Sequence, residues 1–268
     1  MNRFLLASFF ILSLGFLKAQ DLNISVGTEF PVQHFIGINY QHNEKFSGSF
    51  SFGRVDSPYN DELYDWISVP DNLKAQIDFL QLTTDDGSVI EIGSNYHYQK
   101  WYGGLYLQRI RLNASGNYRE IINSDLIQED LNAGERREIN EFLNSPLALF
   151  VNFEEKVELE TTLIQLGLRV GRQFYFKNPK LSMLVELGLS KNMSSKSEGF
   201  YDEQLLQRVI GLEQQILGTQ GRLEEGLNIE NRLDDIDDMF NDYGYIPSLT
   251  IGISYKIHSW KEKSIDVE

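Results

Sequence analysis

The chain has 268 residues, 24 Lys and Arg against 39 Asp and Glu, a net charge of −15 and no Cys. An acidic chain without clustered Lys and Arg lacks the electrostatic footprint of a nucleic-acid binder. Without Cys it carries no disulfide framework, no thiolate zinc site and no lipoprotein anchor.

Arg3 provides a positive start, Phe4 to Leu17 an apolar stretch, and Ala19 a small residue before Gln20. That pattern predicts a secretory signal peptide over 1–19 and a mature chain over 20–268. The apolar run stops at Lys18, short of the roughly 20 apolar residues a membrane-spanning helix needs.

Beyond it, apolar and small or polar residues alternate with period two in eight segments. Ile24, Val26, Thr28 and Phe30 make the first; Ile36, Ile38 and Tyr40 the second; Phe46, Phe50 and Phe52 the third; Ile90, Ile92 and Tyr96 the fourth. Leu105 and Leu107, facing away from Gly104, Tyr106 and Gln108, make the fifth, and Ile164 to Val170 the sixth. Met183 to Leu189 and Leu249 to Tyr255 complete the set, with a charged tail expected over His258–Glu268.

Alternation alone also suits a soluble sandwich or a lipocalin-like barrel. The links discriminate. Those at Pro31-Val32, His42-Asn43-Glu44-Lys45, Gln99-Lys100 and Lys177-Asn178-Pro179 are short, while 55–88, 116–157 and 195–245 are long. The three long links all fall on one side, which is the plan of a bacterial outer-membrane barrel. Tyr40, Phe46, Tyr96, Tyr98, Trp101, Phe174, Phe176 and Tyr255 fall near the short-turn ends, where an interfacial girdle belongs. The fold class expected is therefore all-β, an eight-stranded antiparallel transmembrane β-barrel with long, partly helical extracellular loops, in the outer membrane.

The opening run Asn23-Ile24-Ser25-Val26-Gly27, the hairpin Tyr40 to Lys45 with Phe46 to Gly53 after it, and the last strand Leu249 to Tyr255 resemble the small outer-membrane barrels of the OmpX type and the PorT-like barrels of Bacteroidetes. The resemblance covers the strands, about half of the mature chain. It implies location and assembly but no catalytic motif.

The inner face is expected to carry Glu91, Arg169, Glu186 and Lys256 as an interior polar cluster, with Arg172 joining Arg169, in a lumen filled by side chains. The loops carry the acidity: −7 over 55–88, −5 over 116–157 and −8 over 195–245, leaving +5 for the remainder. Such a face attracts divalent cations and basic partners. Helical spacing appears over Ile121–Leu131, Ile139–Phe150, Leu205–Leu217 and Leu223–Phe240, which suggests a cap over the barrel or a surface for a protein partner.

Asp234, Asp235, Asp237 and Asp238 are hard-oxygen donors of the kind calcium prefers, without the glycine and terminal glutamate of an EF-hand loop. Asp85-Asp86-Gly87 reads as a turn. Of four histidines, His34 alone falls near the outer mouth, with Asp56 or Ser57 as neighbours for a base. A plain rim histidine is the better account, so no enzyme and no cofactor is expected. The expected role is binding or structural: an accessory subunit of an outer-membrane complex or a surface interaction protein, embedded in outer-membrane lipid. A narrow small-solute channel is the alternative.

Overall fold

Period-two runs punctuated by Asn, Gly and Pro become strands because only an extended backbone sends successive side chains to opposite faces. The computed structural model describes residues 21–56, 62–63, 80, 84–123, 132–144, 156–200, 204, 207 and 229–259. Its strands are β1 (Asp21–Phe30), β2 (Gln33–Gln41), β3 (Phe46–Asp56), β4 (Thr84–Tyr98), β5 (Trp101–Asn117), β6 (Lys156–Tyr175), β7 (Leu181–Phe200) and β8 (Tyr245–Ser259). Neighbours in sequence pair antiparallel, and β1 pairs with β8, so the sheet closes into a barrel without edges.

Turn chemistry sets the register. The Asn43 side-chain oxygen accepts from the backbone N–H groups of Lys45 and Phe46 at 2.8 and 2.9 Å, closing the β2–β3 turn. Gln99, at φ 57°, takes the left-handed conformation that the two-residue β4–β5 link demands. Following partners sideways from Asn23 through Asn39, Ser49, Gly93, Tyr106, Gly167 and Ser190 to Ile246, and extending the β8–β1 register, returns to the level of Gln33. That is an offset of ten residues from Asn23 to Gln33 around eight strands, which sets a strand tilt of about 40°.

Along the short-turn half, the outward face is apolar and the inward face polar. Val26, Leu105, Leu168 and Ile253 are 52%, 55%, 61% and 49% exposed, whereas Ser25, Gln108, Gln165 and Thr250 are buried. On β6 the outward face from Phe174 to Ile164, apolar except for Arg172 in the girdle, covers about 25 Å along the barrel axis after correction for tilt. The girdle residues Phe46, Tyr96, Tyr98, Trp101, Phe174, Phe176 and Tyr255 are exposed at its lower edge, with Phe46 packed edge-on against Tyr96.

Nearer the long links the polarity inverts. Val55, Val89, Ile110, Leu112 and Leu163 now point inward and are buried, while Arg54, Arg111 and Glu160 point outward. The strands therefore run further than their membrane-type alternation suggests: β4 to β7 span 15, 17, 20 and 20 residues. The three long links shrink to 57–83, 118–155 and 201–244. Asp85-Asp86-Gly87 is strand rather than turn, with Asp86 opposite Asp56 and Gly87 opposite Val55. The last strand likewise continues past Tyr255 to Ser259, so the expected tail begins later.

Among the described residues, the long-link side carries the helices α1 (Tyr118–Asn123), α2 (Ala133–Leu143) and α3 (Ile229–Tyr243). Asn132 caps α2 in a reciprocal box with Glu135. The Arg119 guanidinium donates to the Leu143 carbonyl at 3.1 Å, tying α1 to the end of α2. The signal segment 1–19, most of 57–83, most of the helical pattern over 205–217 and the tail from Trp260 lie outside the described residues.

Candidate functional site

The lumen is the place where buried charge gathers. Inward positions of β1, β4, β6 and β7 deliver Glu29, Glu91, Arg169 and Glu186, three carboxylates around a single guanidinium. Arg169 donates to Glu91 at 2.6 Å and approaches Glu186 at 3.6 Å, with its side chain only 9% exposed. The Tyr102 hydroxyl donates to Glu186, and the Arg169 guanidinium lies 4.4 Å from the centre of the Tyr106 ring. Glu29 accepts from Gln33 at 2.7 Å and more distantly from Gln108 at 3.5 Å.

Glycines make this packing possible. Gly167 and Gly171 on β6 lie opposite Tyr106 and Tyr102 on β5. A Cβ at Gly167 would fall 2.2 Å from the Tyr106 ring, and one at Gly171 would fall 2.5 Å from that of Tyr102. The two tyrosines thus lie flat over glycine backbone and fill the lumen without an open bore.

A small cavity of about 30 Å³ lies against Glu29, Glu91, Arg169 and Glu186 within this layer, and one of about 50 Å³ lies below it; the two share Asn39, Leu184 and Glu186. Each has room for a few water molecules at most. Their walls are knit by Asn39 to Ser25 at 2.9 Å, His97 to Ser47 at 2.7 Å and Gln173 to Ser182 at 2.7 Å.

Two expected members of the interior cluster lie elsewhere. Lys256 pairs with Asp21 at 2.7 Å near the short-turn opening, because the first residue of β1 lies within reach of the end of β8 there. Arg172 does not join Arg169; three residues apart on one strand, the two face opposite sides. Arg172 lies on the outside, 5.3 Å from the Trp101 ring centre and 5.0 Å from that of Phe174, stacked into the aromatic girdle.

Above the charged layer the lumen is stopped by an apolar plug. From α3, Ile236, Met239 and Phe240 are buried among Val32, Val55, Val89, Ile110, Leu163 and Ile246. Asp237 anchors the helix to β7, accepting from Ser195 Oγ at 2.7 Å, Ser197 Oγ at 2.8 Å and Ser197 N at 3.0 Å. Gly244 ends α3: its N–H donates to Phe240 at 2.9 Å, and a Cβ there would lie 2.3 Å from that same carbonyl oxygen.

This anchoring revises the aspartate run. Asp237 faces β7, while Asp234, Asp235 and Asp238 are exposed on the helix surface. With both Asp237 carboxylate oxygens engaged by Ser195 and Ser197, the four carboxylates do not close on one point. Among the described residues no three His, Asp or Glu side chains converge as a metal site.

His34 is exposed on the outer face of β2, opposite Arg54, with Nδ1 2.8 Å from Thr28 Oγ1. The neighbour expected at Asp56 instead pairs with Arg54 at 2.7 Å; Ser57 lies outside the described residues.

Sequence reasoning left Gln33 and Tyr102 unassigned and did not place Glu29 and Tyr106, though they alternate with the inward set, in the charged cluster. Glu29 does carry the parity of Ser25 and Gly27, and Tyr106 that of Gly104 and Gln108. Parity rather than residue type was the usable signal.

These features define a class: a closed eight-stranded antiparallel barrel whose short-turn half is polar inside and apolar outside. No protein-family model matches the sequence, and no curated protein is significantly similar to it. Among solved structures, the chain is similar to the N-terminal β-barrel domain of Pseudomonas aeruginosa OprF, with 8% identity over 88% of this chain and 95% of that one and a TM-score of 0.35. It is similar to Acinetobacter baumannii CarO at 13% identity, covering 90% and 98% of the two chains, with a TM-score of 0.33. For a major outer membrane protein from Thermus thermophilus the values are 10%, 88%, 98% and 0.38. At such identities and scores the likeness carries no functional inference.

Proposed function

We propose that this chain is an outer-membrane β-barrel with a binding or structural role at its long-loop face, as an accessory subunit of an outer-membrane complex or a surface interaction protein. The membrane placement is supported by an apolar outer belt about 25 Å tall with an aromatic girdle, dimensions that suit the hydrocarbon layer of an outer membrane. An exposed apolar area of that extent on a soluble monomer would aggregate. Kinship with the OmpX-type or PorT-like barrels belongs to the same proposal and rests on the strand and turn motifs alone.

The observation that carries the role is the lumen, obstructed at two levels by the Arg169 layer and by the α3 plug. A barrel so filled offers no continuous aqueous path, so its work falls to the extramembrane part, where strands, α1, α2 and α3 make an acidic platform.

Planar-bilayer recording tests this. Reconstituted protein is expected to leave the membrane at its background conductance. Sustained ohmic conductance would move the assignment to the narrow-channel alternative, with α3 as its stopper.

A further inference from the structure

Lateral rows on a tilted sheet are not level. With strands about 4.8 Å apart and tilted about 40°, each row rises toward the long-link side by about 3 Å per strand from β1 to β8. The row His34, Arg54, Ser88, Arg111, Thr162 and Lys196 therefore climbs the outer surface. Residues at one height are found by stepping back along successive strands. By that construction Arg54 on β3, Arg109 on β5 and Lys191 on β7 lie within about 2 Å of a common level. Level with or just beneath them stand Phe52, Ile90, Leu107, Leu166 and Leu189, all exposed, while Ile164 and Met193 are exposed a few ångströms above, so the collar lies within the upper edge of the belt.

The three cations occupy alternate strands, about 12 Å apart around the girth. Arg109 and Lys191 are exposed, and neither forms an ion pair among the described residues. The Lys191 ammonium lies 5.1 Å from the Tyr245 ring centre. Arg54 contacts Asp56 at 2.7 Å and Asp86 at 3.5 Å, both further from the belt. Of the outward carboxylates above the collar, Asp56 stands about 5 Å higher, Asp86 about 8 Å and Glu160, paired with Arg111, about 14 Å.

We propose that Arg54, Arg109 and Lys191 form a collar that binds phosphate groups of lipid headgroups in the leaflet on the long-loop side. The proposal rests on the membrane placement above. A long cationic side chain rooted at the edge of an apolar belt lays its methylenes on hydrocarbon and its charge among headgroups. Arginine forks match phosphate oxygens, and the acidic tier above repels an anion displaced upward, so the two signs together define one height. The collar gives the barrel a fixed immersion depth and a shell of anionic lipid under its acidic platform.

The test uses the full protein in phosphatidylcholine vesicles containing a minority of phosphatidic acid, with retained lipids counted by native mass spectrometry after mild extraction. Wild type is expected to retain phosphatidic acid selectively, and the Arg54→Gln/Arg109→Gln/Lys191→Gln variant to lose about tenfold or more of that preference. Arg172→Gln, at the opposite interface, is expected to keep it. Heat-modifiable gel mobility checks that each variant is folded, and the single substitution Arg109→Gln provides a milder version should the triple variant misfold. Equal retention by folded wild type and collar variants overturns the collar while leaving the membrane placement intact. Failure of wild type to enter vesicles removes both.

Discussion

Arg169 is the residue on which the lumen turns. Glu29, Glu91 and Glu186 approach it from three other strands, and two tyrosines of β5 pack around it. Taking carboxylates out of water is costly, and a buried pair is a weak source of net stability. Removing its only cation is another matter, because the acids stay behind uncompensated. Arg169→Met is expected to cost about 3–5 kcal/mol, read as an earlier urea midpoint of the folded, fast-migrating band on gels. An unchanged midpoint would mean that the guanidinium does not compensate these acids. The network serves as a specific plug: Arg169 and Glu91, Tyr102 and Glu186, Gln33 and Glu29, and Ser190 and Gln165 each pair across different strands, so a slipped register would strand several buried polar atoms at once.

At the level of elements, α3 is the decisive piece. An amphipathic helix of 15 residues is marginal by itself, and its apolar stripe of Ile236, Met239 and Phe240 gains stability by entering the barrel mouth. The upper strands receive it because their inward positions have changed from Gln and Ser to Val, Ile and Leu. Phe240→Ala is expected to cost about 3–5 kcal/mol of local docking free energy. Limited proteolysis is the appropriate readout: cleavage between 201 and 244 should accelerate while the barrel core stays resistant. If cleavage is unchanged, α3 is not held by this contact. From Ile229 on, the helical spacing read over Leu223–Phe240 thus corresponds to a docked element, in one apolar cluster with the barrel mouth and with Leu63 and Leu80 of the first long link.

For the whole molecule, the ordering along the axis matters most. Girdle, apolar belt, basic collar and acidic platform succeed one another outside, while hydrogen-bonded polar layer and apolar plug succeed one another inside. The switch of inside and outside polarity near Arg54 and Val55 marks where lipid gives way to water. Ile251 tests that placement, since it faces outward on β8 two steps above the girdle residue Tyr255, near the middle of the belt. Ile251→Arg is expected to destabilise the vesicle-embedded protein by about 2–4 kcal/mol in urea titration. On a water-facing strand the same change would fall within about 0.5 kcal/mol of neutral, and that result would refute the membrane belt.

Strand number, pairing order, turn positions and the side of the sheet facing out were all legible from the chain, since period-two alternation and short polar turns are local properties. Parity even foretold that Glu91, Arg169 and Glu186 share one face. Local patterning could not reveal that β4 to β7 continue well past the belt, because an inverted alternation read without a partner looks like the start of a loop. Nor could it place Lys256 with Asp21, Arg172 in the girdle or Asp237 on β7, for those contacts depend on shear and on which residues closure brings within reach. Local patterning establishes a closed, apolar-faced sheet with an acidic loop face. The filling of the lumen needs the folded chain, because α3, held on β7, enters among Val55, Val89 and Ile110, which are remote from it in sequence, and the height of every charge follows from the tilt of the closed barrel.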